Sequence, residues 1–195
     1  MHLFLCEGFW CTHPHMIALR GRTHGKEGYM ARHTENQPDN LTQRELVITR
    51  VLDAPREAVW DLCTERAHAM EWWGPKNFTV SAFEMDLRPG GTWRAVIRSP
   101  EGKDYPQHGT YELVDRPEHL AFTFMWQREG PGSEMLCTVS LKENRTRTDR
   151  TEMTFRKGPF PSAESHNAEL DGWNECFDRL EKYLERSRVG EGQPV

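Results

Sequence analysis

Leu170-Asp-Gly-Trp173-Asn-Glu-Cys-Phe177-Asp-Arg-Leu180-Glu-Lys-Tyr-Leu184 places apolar side chains at steps of 3, 4, 3 and 4. That spacing puts them on one stripe of an α-helix, and a continuous stripe needs a surface to cover. The helix is predicted from Ser162, a good N-cap, to Ser187. Glu164, Glu169 and Asp171 lie early, and Lys182, Arg186 and Arg188 lie late, which matches the helix dipole. After Gly190 the chain is polar.

What the helix covers is written upstream. Leu46, Ile48 and Leu52 alternate with more polar neighbours, the pattern of a half-buried strand. Asp53-Ala-Pro55 then opens a first short helix, with proline expected at the first helical position. A second short helix is predicted over Glu65 to Trp72, ended by Gly74-Pro75. Six further apolar runs follow, near 77–87, 92–98, 107–115, 119–127, 134–142 and 150–156. Each is separated from the next by glycine, proline or Asn/Asp, so the strands form an antiparallel meander. The predicted fold class is α+β: a seven-stranded curved antiparallel sheet around one long C-terminal helix, with two short helices after the first strand. A helix of ~25 residues is ~37 Å long, enough to span such a sheet.

The domain is expected over 43–187, with 188–195 a flexible tail. Residues 1–42 read as a disordered extension. They hold five of the nine histidines and show no sustained period. Met30 stands just before the domain and is a candidate initiator. Cys6, Cys11, His13 and His15 have ligand types that suit zinc, but they lack a second half and a scaffold, so no metal is assigned. Five cysteines at irregular spacing imply no disulfide framework and fit a reducing, cytoplasmic setting. The net charge of −5, without a basic stripe, argues against nucleic acid. No run of 18 apolar residues exists, so no membrane insertion is expected. Asn144-Arg145-Thr146 matches a glycosylation sequon, which carries meaning only in a secreted chain.

Five segments resemble one known family. They are Ala54-Pro-Arg-Glu-Ala-Val-Trp60, Trp72-Trp-Gly-Pro75, Asp86-Leu-Arg-Pro-Gly-Gly-Thr-Trp93, His108-Gly-Thr-Tyr-Glu-Leu-Val114 and Gly172-Trp-Asn-Glu-Cys-Phe-Asp-Arg-Leu180. Over residues 43–186 the chain is similar to the START-like (SRPBCC, helix-grip) superfamily. Within it, the chain is most similar to the heat-shock protein 90 ATPase activator homologue-like domain. The resemblance implies a cavity between sheet and helix. Relatives of this fold include lipid carriers, aromatic cyclases and hormone receptors. A stress-linked chaperone partner is the less expected implication, because the eukaryotic co-chaperone uses an additional N-terminal domain and residues 1–42 are too short for one.

Strand parity points Trp93, Ala95 and Ile97 to one face, opposite Arg94 and Arg98. Tyr111 with Leu113, and Phe122 with Phe124 and Trp126, likewise share faces. The expected ligand-lining set is Trp73, Phe78, Trp93, Tyr111, Phe124, Trp126, Trp173 and Phe177. An aromatic interior suits a small hydrophobic or aromatic ligand, though the same residues would serve a filled core. Glu84, Asp86, Arg94, His108, Glu112 and His119 are the polar strand residues. His108, Glu112 and Tyr111 are the only candidates for acid–base work in a cyclase- or hydrolase-type enzyme, and alternation places charged residues outward by default. The pairs His68-x-x-Glu71 and His166-x-x-Glu169 read as surface pairs at helical spacing. No catalytic set and no cofactor are assigned. Self-association as a homodimer stays open.

Overall fold

Strand β1 (Leu46–Leu52) shows how alternation becomes geometry. Leu46, Ile48 and Leu52 are buried while Val47, Thr49 and Val51 face out. The computed structural model describes residues 45–130, 132–144 and 149–190, with side chains to Ser187. The predicted extension 1–42, the Cys6, Cys11, His13 and His15 group, sequon positions 145 and 146, and the last five residues of the expected tail lie outside the described residues.

Helices α1 (Arg56–Thr64) and α2 (Arg66–Trp72) follow β1. Pro55 is the N-cap of α1 rather than its first helical residue: its ψ of 155° is extended, and its carbonyl accepts the Val59 N–H at 3.1 Å. Six strands come next: β2 (Thr79–Met85), β3 (Thr92–Arg98), β4 (Asp104–Asp115), β5 (His119–Trp126), β6 (Met135–Glu143) and β7 (Thr151–Gly158). The sheet order is β1-β7-β6-β5-β4-β3-β2, antiparallel throughout. Strands β1 and β2 are neighbours in sequence but opposite edges of the sheet. The chain must cross from edge to edge, and α1 and α2 make that crossing. Register shifts at Val80/Ala82 and Tyr111/Leu113 bend the sheet, as bulges do.

Helix α3 (Ala163–Gly190) lies on the inner face. The Ser162 Oγ accepts the Ser165 N–H at 3.1 Å, which fulfils the expected cap. The helix runs three residues past its expected end at Ser187. Trp173, Phe177, Leu180 and Leu184 are buried, with Cys176 beside them, and Leu170 is half-buried. Against this stripe the sheet presents Trp93, Phe122, Phe124, Phe155 and their neighbours in one core cluster.

Gly109 shows how tightly the interior is built. The Trp93 indole N–H passes over it to reach the Thr123 carbonyl at 3.0 Å. A Cβ on Gly109 would lie 1.8 Å from that carbonyl oxygen and 2.6 Å from the indole nitrogen. Among the described residues no helix is long and apolar enough to cross a membrane.

Candidate functional site

The site is assembled from β4, β5, β7, the segment after α2, and the first turns of α3. On β7, inward parity passes from Thr151 through Met153 and Phe155 to Lys157, which has no exposed surface. A buried ammonium must be paired. Lys157 Nζ donates to Glu169 Oε2 at 2.7 Å, in the second turn of α3. The same oxygen accepts the Trp173 indole N–H at 3.0 Å, and Oε1 accepts that of Trp126 at 3.5 Å. The ammonium also sits 3.8 Å from the centroid of the Phe124 ring, within cation–π range. Glu169 is 8% exposed, so its expected place in a surface pair with His166 is corrected. It lies one turn before Trp173 on the buried face, where Lys157 and two indoles satisfy it.

The segment after α2 carries Trp73 into the interior. Gly74 turns the chain with φ +94°, the left-handed region that favours glycine. Arg179, on α3, then gathers this segment. Its Nη1 donates to the carbonyls of Trp73, Gly74, Pro75 and Phe78 at 3.0–3.3 Å, and its Nη2 to that of Glu71 at 3.0 Å. Burial draws the guanidinium pKa down from its usual value. The Trp73 ring meets Phe83, Trp93 and Trp173 edge-on at centroid distances of 5.4–5.5 Å. Its N–H donates to Gln107 Oε1 at 2.8 Å. Gln107 is on β4, paired with Ala95 and Trp126, and is only 3% exposed.

These three parts line a half-open cavity of about 20 Å³. The sheet contributes Ile97, Gln107, Phe124 and Trp126, the helix Trp173 and Cys176, and the loop Trp73, Gly74 and Pro75. That is room for a single water. Burial pushes the Cys176 thiol up to about 12, and likewise the Cys137 thiol, so both stay protonated at neutral pH.

The structure brings four of the eight expected lining residues to the cavity: Trp73, Phe124, Trp126 and Trp173. Trp93, Tyr111 and Phe177 are buried in the same aromatic cluster but stand back from it. Phe78 is half-buried against Tyr105, at 5.8 Å between centroids. The three residues considered for acid–base work do not converge. Tyr111 is buried, and burial raises the pKa of its hydroxyl. Glu112 is exposed, and His108 is half-buried beside exposed Arg94.

Sequence reasoning missed Lys157, Glu169, Gln107 and Arg179. Parity with Met153 and Phe155 would have turned Lys157 inward had the last strand been carried one residue past 156. Glu169, four residues before Trp173, belonged to the apolar stripe by the same arithmetic.

Comparison with known proteins is consistent with this geometry. A protein from Nitrosomonas europaea aligns with 75% of this chain and 97% of its own, at 25% identity and a TM-score of 0.65. The AHSA1 protein from Silicibacter pomeroyi aligns over 73% and 99%, at 22% identity and a TM-score of 0.64. A protein from Arthrobacter aurescens aligns over 75% and 89%, at 21% identity and a TM-score of 0.65. Likeness at these identities is one of fold. No curated protein matches the chain. The sequence model described as Activator of Hsp90 ATPase homolog 1-like protein matches residues 53–185, from the end of β1 to the last turns of α3. That match spans more than half of the chain and the whole of the site, so the chain belongs to the family of Activator of Hsp90 ATPase homolog 1-like proteins.

Proposed function

We propose that this protein binds one small, largely apolar, planar molecule between α3 and the sheet, with the Trp73–Phe78 segment as the movable wall. The observation that carries this reading is the cavity itself. It lies where helix, sheet and loop meet, four of its nine lining residues are aromatic, and one of its three walls is a loop. Aromatic walls with a few placed polar groups suit a planar guest.

The volume of about 20 Å³ holds no six-membered ring, so a ring-sized guest requires a wall to open, and the loop is the wall proposed to do so. Arg179 is the side chain that fastens four of the loop's carbonyls, together with that of Glu71 at the end of α2, and it is well placed to let the segment move as a unit. A ring entering the site would make edge-to-face contacts with the Phe124, Trp126 and Trp173 rings that line it.

The test is a titration of the wild type and of Trp73→Ala with a library of apolar and aromatic compounds, followed by thermal shift. Trp73→Ala removes the loop's side of the filled space and should admit ring-sized compounds most readily. The expected result is a saturable rise in Tm for a subset of planar compounds, larger in the variant. No shift in either protein, together with no small molecule in native mass spectra of protein from its own host, would overturn the reading.

A further inference from the structure

We infer that Gln107 is the polar anchor of this cavity, and that the bound molecule carries one neutral, hydrogen-bond-accepting oxygen. This rests on the binding proposed above and adds the chemical class of the guest.

The argument begins with the Trp73 indole. Its N–H can only donate. Because it donates to Gln107 Oε1 at 2.8 Å, the carboxamide oxygen is turned to Trp73 and the NH₂ is turned away. Gln107 lines the cavity and is 97% buried. Its one side-chain hydrogen bond among the described residues is the one its oxygen accepts. Its nitrogen is not among the buried polar atoms left without a partner, so the NH₂ is not sealed in the core.

The other indole N–H groups of the wall and the loop carbonyls are committed. The Trp126 and Trp173 N–H groups go to Glu169. The carbonyls of Trp73, Gly74 and Pro75 go to Arg179. The Gln107 amide therefore offers the donors left to a guest, and it calls for an acceptor.

Charge narrows the class further. The nearest buried charges, Lys157 and Glu169, neutralise each other at 2.7 Å and do not line the cavity. Arg179 is spread over five carbonyls. A carboxylate would be buried with no cation of its own, which is costly. A hydrocarbon would cover the amide without pairing it, and a site built to hydrogen-bond rejects the analogue that lacks the partner. A carbonyl, ether or hydroxyl oxygen satisfies both conditions.

The experiment uses three probes of similar shape: acetophenone, α-methylstyrene, in which C=CH₂ replaces C=O, and benzoate. Binding to the full chain is read from the indole ¹H–¹⁵N signals of its tryptophans. The expected order is acetophenone about tenfold tighter than α-methylstyrene, which corresponds to ~1.4 kcal/mol, with benzoate weakest. In Gln107→Leu the preference for acetophenone should vanish while α-methylstyrene still binds. Gln107→Glu keeps an acceptor for the Trp73 N–H but has no donor when ionised, so it should lose the preference with the Trp73 indole signal still shifted downfield. Equal affinity of the two isosteres in the wild type would overturn the inference and leave the binding reading standing. A preference that survives both substitutions, or benzoate as the tightest probe, would do the same. Failure of all three probes to bind the wild type or Trp73→Ala would remove both.

Discussion

Lys157 sits in a protein interior that should not accept it. Three groups hold it: the Glu169 carboxylate, the face of Phe124, and the indoles that share Glu169. Removing one member of a buried pair leaves the other charge uncompensated. Lys157→Met should therefore cost ~3–5 kcal/mol in urea unfolding, and Glu169→Leu added to it should recover most of that loss. If the single substitution cost no more than a surface change, the pair would not be as dry as the geometry indicates. The cysteines give a second residue-scale prediction. Burial holds the Cys137 and Cys176 thiols up at about 12 in the folded protein, against about 9 in a free chain. A raised folded pKa gives stability that is complete below pH 9 and is lost as pH climbs toward 12. The unfolding free energy from urea titrations should fall across that window, by up to ~1.4 kcal/mol per pH unit per thiol. Cys137→Ala/Cys176→Ala should flatten the slope.

At the scale of elements, α3 does more than cover the sheet. One face buries Trp173, Cys176, Phe177, Leu180 and Leu184, while Arg179 reaches sideways to the loop that carries Trp73. Arginine suits this work because its planar fork presents several donors at once, and a lysine offers a compact point charge in their place. Arg179→Lys should leave the helix intact but loosen the segment Trp73–Phe78. The amides of Trp73 and Phe78, bonded to Ala69 and Pro75, should then exchange with solvent at least tenfold faster, with α3 amides unchanged. Hydrogen exchange read by NMR checks this. His68 adds a second clasp between α2 and α3, its Nδ1 lying 2.8 Å from the Tyr183 hydroxyl.

At the scale of the whole molecule, sheet and helix are mutually dependent. The inner face of the sheet is an array of Trp, Phe and Leu side chains that, among the described residues, α1, α2, the Trp73 loop and α3 cover. A chain ending at residue 162 should show no cooperative thermal transition by circular dichroism and should bind a hydrophobic dye, because the exposed aromatic face has lost its partner. A sigmoidal transition near the full chain's Tm would contradict this dependence.

What the sequence determined by itself was whatever has a period or a punctuation mark. The 3-4-3-4 stripe set the helix. Strand alternation and the Gly/Pro/Asn breaks set seven strands and their antiparallel order, and glycine with proline ended α2. Those signals are local, and local sterics and burial are enough to act on them. Parity also turned Trp93 inward and put Phe122, Phe124 and Trp126 on one face, all of them buried, whereas Leu113, expected on the face of Tyr111, is exposed because the register shifts between them. The tertiary structure decided the polar interior. Lys157 and Glu169 are 12 residues apart, Trp73 and Gln107 are 34 apart, and Arg179 meets carbonyls more than 100 residues away. Lys157, Glu169, Gln107 and Arg179 are charged or polar, and taken alone each reads as solvent-exposed. Only when the chain closes do they find the partner that makes burial affordable, and no period in the sequence records which partner that will be.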